Sequence, residues 1–403
     1  MRIFQRAASQ RARQCAPALA FAFAFVACLS VALAGCGSSS MTLTTNTPRI
    51  IPSPTAVALD AGLARETVYA ATHGSGSASV GFVQAFNARS GAKLWTMRTG
   101  GMYGVPVVAD GSIFVAPQDG TIDALDASTG KPQWTFQRPD GRTDGYVAVV
   151  GPTVFVTCDT GTVYALDRAT GKVNWQFALS GVNDHSYAAP AVTNGVLYFS
   201  VGGTDAGIYA LDAATGHVRW KTATAHDVNG VPVVVDGTVY AGSEDQQLYA
   251  LDAASGTVRW HGLTGGGIIS RAAVGDTLIY VVASDQKVYA LDRQSGKPVW
   301  SFQETGYAVG SGSATGGAPL LVGSVLYIGA QTDAVYALDA ASGKLIWQSA
   351  VDSSVDSAPA VVDGTVFATS DAGTVYALRA SDGALGWTQP AASAIYASPV
   401  VAP

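Results

Sequence analysis

Residues 335–347 read VYALDAASGKLIW, from Val335 to Trp347. Close variants begin at Val83 (VQAFNARSGAKLW), Ile122 (IDALDASTGKPQW), Val163 (VYALDRATGKVNW) and Ile208 (IYALDAATGHVRW). Others begin at Leu248 (LYALDAASGTVRW), Val288 (VYALDRQSGKPVW) and Val375 (VYALRASDGALGW). Each phrase ends on a tryptophan: Trp95, Trp134, Trp175, Trp220, Trp260, Trp300, Trp347 and Trp387. The chain has 8 tryptophans, so every one falls at the same repeat position. Their spacings are 39, 41, 45, 40, 40, 47 and 40 residues, and a regular period of that size is the mark of a repeat architecture.

Each repeat divides into short strands. In residues 357–388, PAVV, TVFAT, TVYAL and ALGWT are β-branched and aromatic runs separated by DG, SDAG and ASDG. Strand-length runs between Gly/Asp turns are the hairpin signal. In LDAASGK the Asp339 carboxylate is placed to accept hydrogen bonds from the backbone that follows and from Ser342, while the glycine is expected at positive φ. The tryptophan four residues on then falls on the fourth strand, at the outer edge. No stretch beyond residue 55 sustains a helical period. Four-stranded units of about 40–45 residues point to an all-β fold, an eight-bladed β-propeller of four-stranded antiparallel blades over residues 56–403. A single blade cannot bury both faces, whereas a closed ring leaves no end blade. The terminal SPVV copies the first-strand phrases VPVV, APAV and SAPAVV. It is expected to complete the blade begun by ETVYAAT, FVQAFN and AKLWTM, with TAVALD at 55–60 as the competing segment.

The phrase A-L-D-x-x-[ST]-G-x-x-x-W resembles the tryptophan-docking motif of pyrroloquinoline-quinone-like propellers, over about residues 60–403. The resemblance implies that each indole docks against the next blade's motif. Two repeats depart from it: Phe86-Asn87 replaces Leu-Asp in the first, and Arg379 and Asp382 replace the Asp and Ser/Thr in the last.

The N-terminus carries an address. Residues 1–14 hold 4 arginines and no acid, and an almost wholly apolar run follows, the pattern of an export signal. An uncleaved membrane span is the competing reading. Leu33–Cys36, LAGC, resembles a bacterial lipobox. That resemblance implies a signal peptide over 1–35, a lipidated Cys36 and a membrane anchor rather than a span. Gly37, in place of an aspartate, favours the outer membrane, facing the periplasm. Residues 36–55 then form a polar, Pro-containing tether.

Charge and cysteines narrow the function. The chain has 23 basic and 29 acidic residues; loss of residues 1–35 removes 4 arginines and leaves 19 against 29, a net of −10. Such a surface repels phosphate backbones and argues against nucleic acid. Cys158 is the one cysteine beyond Cys36, so no internal disulfide is available. His73, His185, His217, His226 and His261 lie far apart, with no HExxH or HxH pair. A metal shared by His185 and His226 is the weaker alternative to none. There is no nucleophile elbow or phosphate loop, and the Gly-rich GSGSATGG at 310–317 reads as an interblade insertion.

Loops between blades, and those joining second to third strands, share one face of a propeller. The interblade loops supply Tyr103, Asp144, Tyr146, Asp184, His185, His226, Asp227, Arg271, Tyr307, Asp356 and Tyr396 as the candidate binding face. The other loops supply Asp119, Asp159, Asp205, Asp245, Asp285, Asp333 and Asp371, which read as turn residues. Quinone-dependent dehydrogenases of this family typically carry vicinal cysteines and an extended cap. The sequence has no adjacent cysteines and short loops. No cofactor, metal or catalytic residue is therefore expected. Within that family the chain resembles the lipid-anchored, non-catalytic propellers of outer-membrane β-barrel assembly. The resemblance implies a scaffold for envelope protein partners, with quinone-dependent dehydrogenase or carbohydrate/peptide sensor as the alternatives.

Overall fold

A computed structural model of the chain describes residues 59, 63, 65–74, 80–139, 141, 144–180, 185–304 and 317–403. The signal peptide, Cys36, the tether, most of TAVALD, Asp184, Tyr307 and most of GSGSATGG lie outside these residues.

The last repeat shows how one blade forms. Its strands are Ala360–Val362, Thr365–Thr369, Thr374–Arg379 and Leu385–Pro390, paired in chain order as an antiparallel meander. Thr374–Arg379 is buried at its four central positions, because it is covered by a blade on either side. Outer strands such as Val173–Ala178 alternate between exposed and half-buried positions, as a strand covered on one face should. Each outer strand carries one extra residue beside its tryptophan: Ala337 pairs with Trp347, but Leu338 pairs with Leu345. That bulge sharpens the local twist.

Eight such four-stranded sheets are present. The first strands of successive blades contact one another, Val107–Ala109 against Gly145–Val150 and that strand against Ala191–Thr193, so they form the innermost circle. The ring is closed by the chain's end. Val400–Ala402 takes the inner position of the first blade, pairing Thr67 with Ala402 and Tyr69 with Val400. Leu59, of the competing segment, packs instead in the core between the last and first blades, beside Trp387.

The core is a circle of eight interfaces rather than one central cluster; each hydrophobic cluster draws on two neighbouring blades. The repeated phrase makes each interface. Asp339 Oδ1 accepts from Ser342 N at 2.9 Å and Ser342 Oγ at 2.5 Å. This turn holds Gly343 at φ +69°, where a side chain would be strained. The indole of Trp300, from the preceding blade, lies on that glycine: a Cβ there would meet Trp300 Cε3 at 2.6 Å. Trp300 Nε1 donates to Ala340 O at 3.1 Å. The same donation runs around the ring, from Trp95 to Ala127, Trp134 to Arg168, Trp175 to Ala213, Trp220 to Ala253, Trp260 to Arg293 and Trp347 to Ala380. Trp387 closes it by donating to Ala88 O at 2.9 Å.

The two divergent repeats preserve the turn by other means. Asn87 Oδ1 accepts from Ser90 N at 2.9 Å and Ser90 Oγ at 2.8 Å. In the last blade the acid has moved three residues on. Asp382 Oδ1 accepts from Arg379 Nε at 2.8 Å and Ala384 N at 3.1 Å.

Candidate functional site

The meander puts the interblade loops and the second-to-third-strand loops together, and backbone hydrogen bonds zip them. Gln118 N donates to Gly101 O at 2.9 Å, Asp159 N to Asp144 O at 3.1 Å, Glu244 N to Asp227 O at 2.9 Å and Asp371 N to Ser354 O at 2.9 Å. His185 and Gly202 exchange both their backbone bonds. Side chains from the two loop sets therefore stand on one tied platform, the arrangement in which loops on a rigid scaffold carry recognition.

Several aspartates of the second-to-third-strand loops serve the turns. Asp119 accepts from Thr121 N and Gly100 N, both at 3.1 Å. Asp245 accepts from Gln247 N at 3.1 Å and Tyr249 OH at 2.6 Å, and Asp285 accepts from Tyr289 OH at 2.5 Å. Burial, with Asp285 beside it, pushes the Tyr289 hydroxyl up to about 12. Asp205 engages Tyr209 and Lys221.

The interblade residues fall into three groups. Tyr103 and Tyr396 stack with centroids 5.5 Å apart, and His73 lies 4.3 Å from the Tyr103 ring. Next along the ring stand Asp144 and Tyr146. Asp144 Oδ2 accepts from Gln118 Nε2 at 3.1 Å, while its enclosed Oδ1 has no hydrogen-bond partner. Burial raises the Asp144 pKa. Tyr146 is raised too, first by burial and then by Asp144 and Asp159. His185 follows, its Nε2 facing Asp227 Oδ2 at 3.4 Å and its ring 4.5 Å from Tyr187.

On the other side of Tyr396, on the last blade, Asp356 and Asp371 form an acid pair next to Glu304. Burial, then Asp356, pushes Asp371 up to about 7. Burial, then Asp356, does the same to Glu304, which is 5% exposed. Arg271 stands apart from all of these groups. It makes no hydrogen bond or ion pair with a described residue; it is accessible, yet enclosed enough by protein that desolvation lowers its pKa. His226 is exposed, and its backbone carbonyl, not its ring, accepts the local hydrogen bonds. Among the described residues no group of three or more His, Cys, Asp or Glu side chains could hold a metal ion.

Sequence reasoning gave no place on the binding face to His73, which it weighed only as a metal ligand, and passed over Tyr187, Glu304 and Gln118. Tyr187 had a usable signal: it stands three residues before Pro190, as Tyr103 does before Pro106 and Tyr396 before Pro399. Glu304 had one as well. Four residues past each tryptophan most repeats carry a neutral residue, but two carry charges, Arg138 and Glu304, and both are buried.

A family model described as outer membrane protein assembly factor BamB matches overlapping stretches at residues 55–181, 118–228, 160–301, 205–355 and 284–401. The crystal structure of BamB from Moraxella catarrhalis is 21% identical, with a TM-score of 0.61 over 74% of this chain and 93% of that one. The quinohemoprotein alcohol dehydrogenase of Comamonas testosteroni is 17% identical, with a TM-score of 0.62 over 74% and 68%. The computationally designed Ika8 protein is also 17% identical, with a TM-score of 0.62 over 73% and 88%. At these identities the structural likeness is one of fold. No curated protein sequence matches the chain.

Proposed function

The chain belongs to the family of the outer membrane protein assembly factor BamB, and from that premise we propose that it is a non-catalytic, lipid-anchored propeller acting as a protein-interaction scaffold in outer-membrane protein assembly. The observation that carries the reading is the end-to-end family match, residues 55 to 401, which spans every blade and the closing strand. Cys36 is the proposed lipid attachment site and residues 36–55 the proposed tether, which would place the propeller at the periplasmic face of the outer membrane.

The scaffold has two surfaces for partners. One is the zipped loop platform with its proposed contact residues Tyr103, Tyr146, His185, Asp227, Arg271 and Tyr396. The other is the ring of outer strands, whose edges bear exposed Leu94, Val218, Val258, Val299, Leu345 and Ile346. Unpaired backbone groups there offer β-augmentation to an incoming strand.

A quinone-dependent activity draws only on shared fold, which does not carry function. The mouth also suits the cofactor badly. Half-buried Asp144, Asp227 and Asp356 line it, and a quinone bearing three carboxylates would meet like charge.

Gene deletion tests the reading. Lower levels of outer-membrane porins and a leakier barrier, both restored by the intact gene, are expected. Unchanged porins and barrier would overturn it.

A further inference from the structure

One register position decorates the mouth of the ring. It lies three residues ahead of the first-strand proline or its counterpart, and four consecutive blades place Tyr396, Tyr103, Asp144 and Tyr187 there. The pairing of Val400, Val107, Ala148 and Ala191 with the aromatic residues Tyr69, Phe114, Phe155 and Tyr198 fixes the equivalence. Asn229 and Asp356 hold the same position on the two blades that flank the arc. At the three tyrosines the preceding residue, Ile395, Met102 or Ser186, is buried. It anchors each loop and leaves Tyr103 and Tyr187 43% and 46% exposed.

The arc is therefore an aromatic surface with a carboxylate at its centre. Tyr103 is held by its stack with Tyr396 and His73, and Tyr187 by its contact with His185. Between them Asp144 keeps one enclosed oxygen without a hydrogen-bond partner. Ser186, only 1% exposed and next to Tyr187, has an Oγ in the same condition. Asp144, Asp159 and Asp227 all act on Tyr187 through their charge. The arc's loop residues include no lysine; Arg142, two residues before Asp144, lies outside the described residues. Arg138, buried beneath, donates to Cys158 Sγ at 3.1 Å and Pro117 O at 3.2 Å, and its charge, like that of His73, acts against burial on the Asp144 carboxyl.

We propose that this Tyr396–Tyr103–Asp144–Tyr187 arc receives an arginine side chain presented by a loop of a protein partner. The proposal rests on the scaffold reading and names the chemistry of what the scaffold holds. A guanidinium is planar and weakly hydrated, so it stacks on tyrosine faces while its N–H groups reach a carboxylate. A neutral sugar would use the rings but bring no charge to the carboxylate.

The test uses the full-length lipidated protein in detergent and two probes, acetyl-Gly-Arg-Gly-amide and its citrulline counterpart, followed by titration calorimetry. The arginine peptide is expected to bind about tenfold or more tighter than the citrulline peptide and to weaken in high salt. Asp144→Asn and Tyr103→Ala should each lower its affinity about tenfold, with unchanged melting temperature. His217→Ala, in a strand-connecting turn of the fourth blade, should leave it intact. Absence of binding, equal binding of both peptides, full affinity in both arc variants or displacement by maltotriose would each overturn the proposal. Failure here with intact deletion phenotypes removes the arginine receptor and leaves the scaffold. Binding without any envelope phenotype does the reverse.

Discussion

Trp387→Ala is the substitution that most severely tests the ring. The Trp387 indole is 9% exposed, lies on Gly91 of the first blade and donates to Ala88 O at 2.9 Å. It thus joins residues some 300 positions apart. An indole buries about 150–250 Å², and about 25 cal/mol per Å² gives roughly 4–6 kcal/mol of transfer free energy. The Ala88 carbonyl also loses its donor, worth about 1 kcal/mol. Partial collapse of the cavity offsets some of this, so a loss of about 3–5 kcal/mol is expected. Against a typical total of about 5–15 kcal/mol, that is a large fraction. Urea unfolding followed by far-ultraviolet circular dichroism measures it. Trp387→Phe, which keeps a ring but no N–H, should lose less. Because the first blade is assembled from both ends of the chain, amide exchange in Thr67–Ala71 should accelerate more than in Thr238–Gly242, three blades from the closure. A cost below about 1 kcal/mol, the level of a surface substitution, would refute the view that this indole seals the ring.

Three further outcomes follow from particular residues. Glu304→Gln should stabilise the protein at pH 8 by up to about 3 kcal/mol and change little at pH 4.5. The buried carboxyl is raised from 4.5 to about 7, at about 1.36 kcal/mol per unit. The folded state therefore holds its proton longer than the unfolded chain, and stability falls as pH climbs from about 4.5 through 7; a pH-independent effect in urea titrations would contradict this. Gly343→Ala should cost more than Gly364→Ala in the same assay. Both sit at φ +69°, but a Cβ at 343 meets the Trp300 ring whereas one at 364 meets nothing within 4 Å. The left-handed strain, about 1–2 kcal/mol, is common to both, and equal losses would remove the indole from the interface. Finally, Cys158 is fully buried, so its alkylation in the native state should be more than about a hundredfold slower than in urea. Comparable rates would show that the interface around it opens.

The fold was legible because its decisive interaction is local in sequence and repeated. Asp, Ser/Thr and Gly specify one turn, the tryptophan follows at fixed distance, and eight copies spaced by about one blade leave few architectures. Closure by SPVV was readable for the same reason, since the terminal phrase copies a first strand. The loop platform was legible only in outline. Tyr103 and Tyr396 meet because ring closure makes the last and first loops neighbours. The contact of His73 with them depends on a loop whose length carries no pattern. Glu304 and Arg138 were missed because a charged residue next to an alternating strand reads as a solvated position. Only the three-dimensional stacking of blades buries it. Asp356 and Asp371, ordinary loop acids in sequence, become a coupled pair through the hydrogen bond from Asp371 N to Ser354 O that draws their loops together.

The scaffold claim is tested most directly by crosslinking the full-length protein in intact envelope membranes and identifying what is joined to the loop platform. With a photoreactive residue at Asn229, recovery of β-barrel assembly subunits is the predicted result. Crosslinks only to proteins unconnected with outer-membrane assembly, at comparable yield, would contradict it.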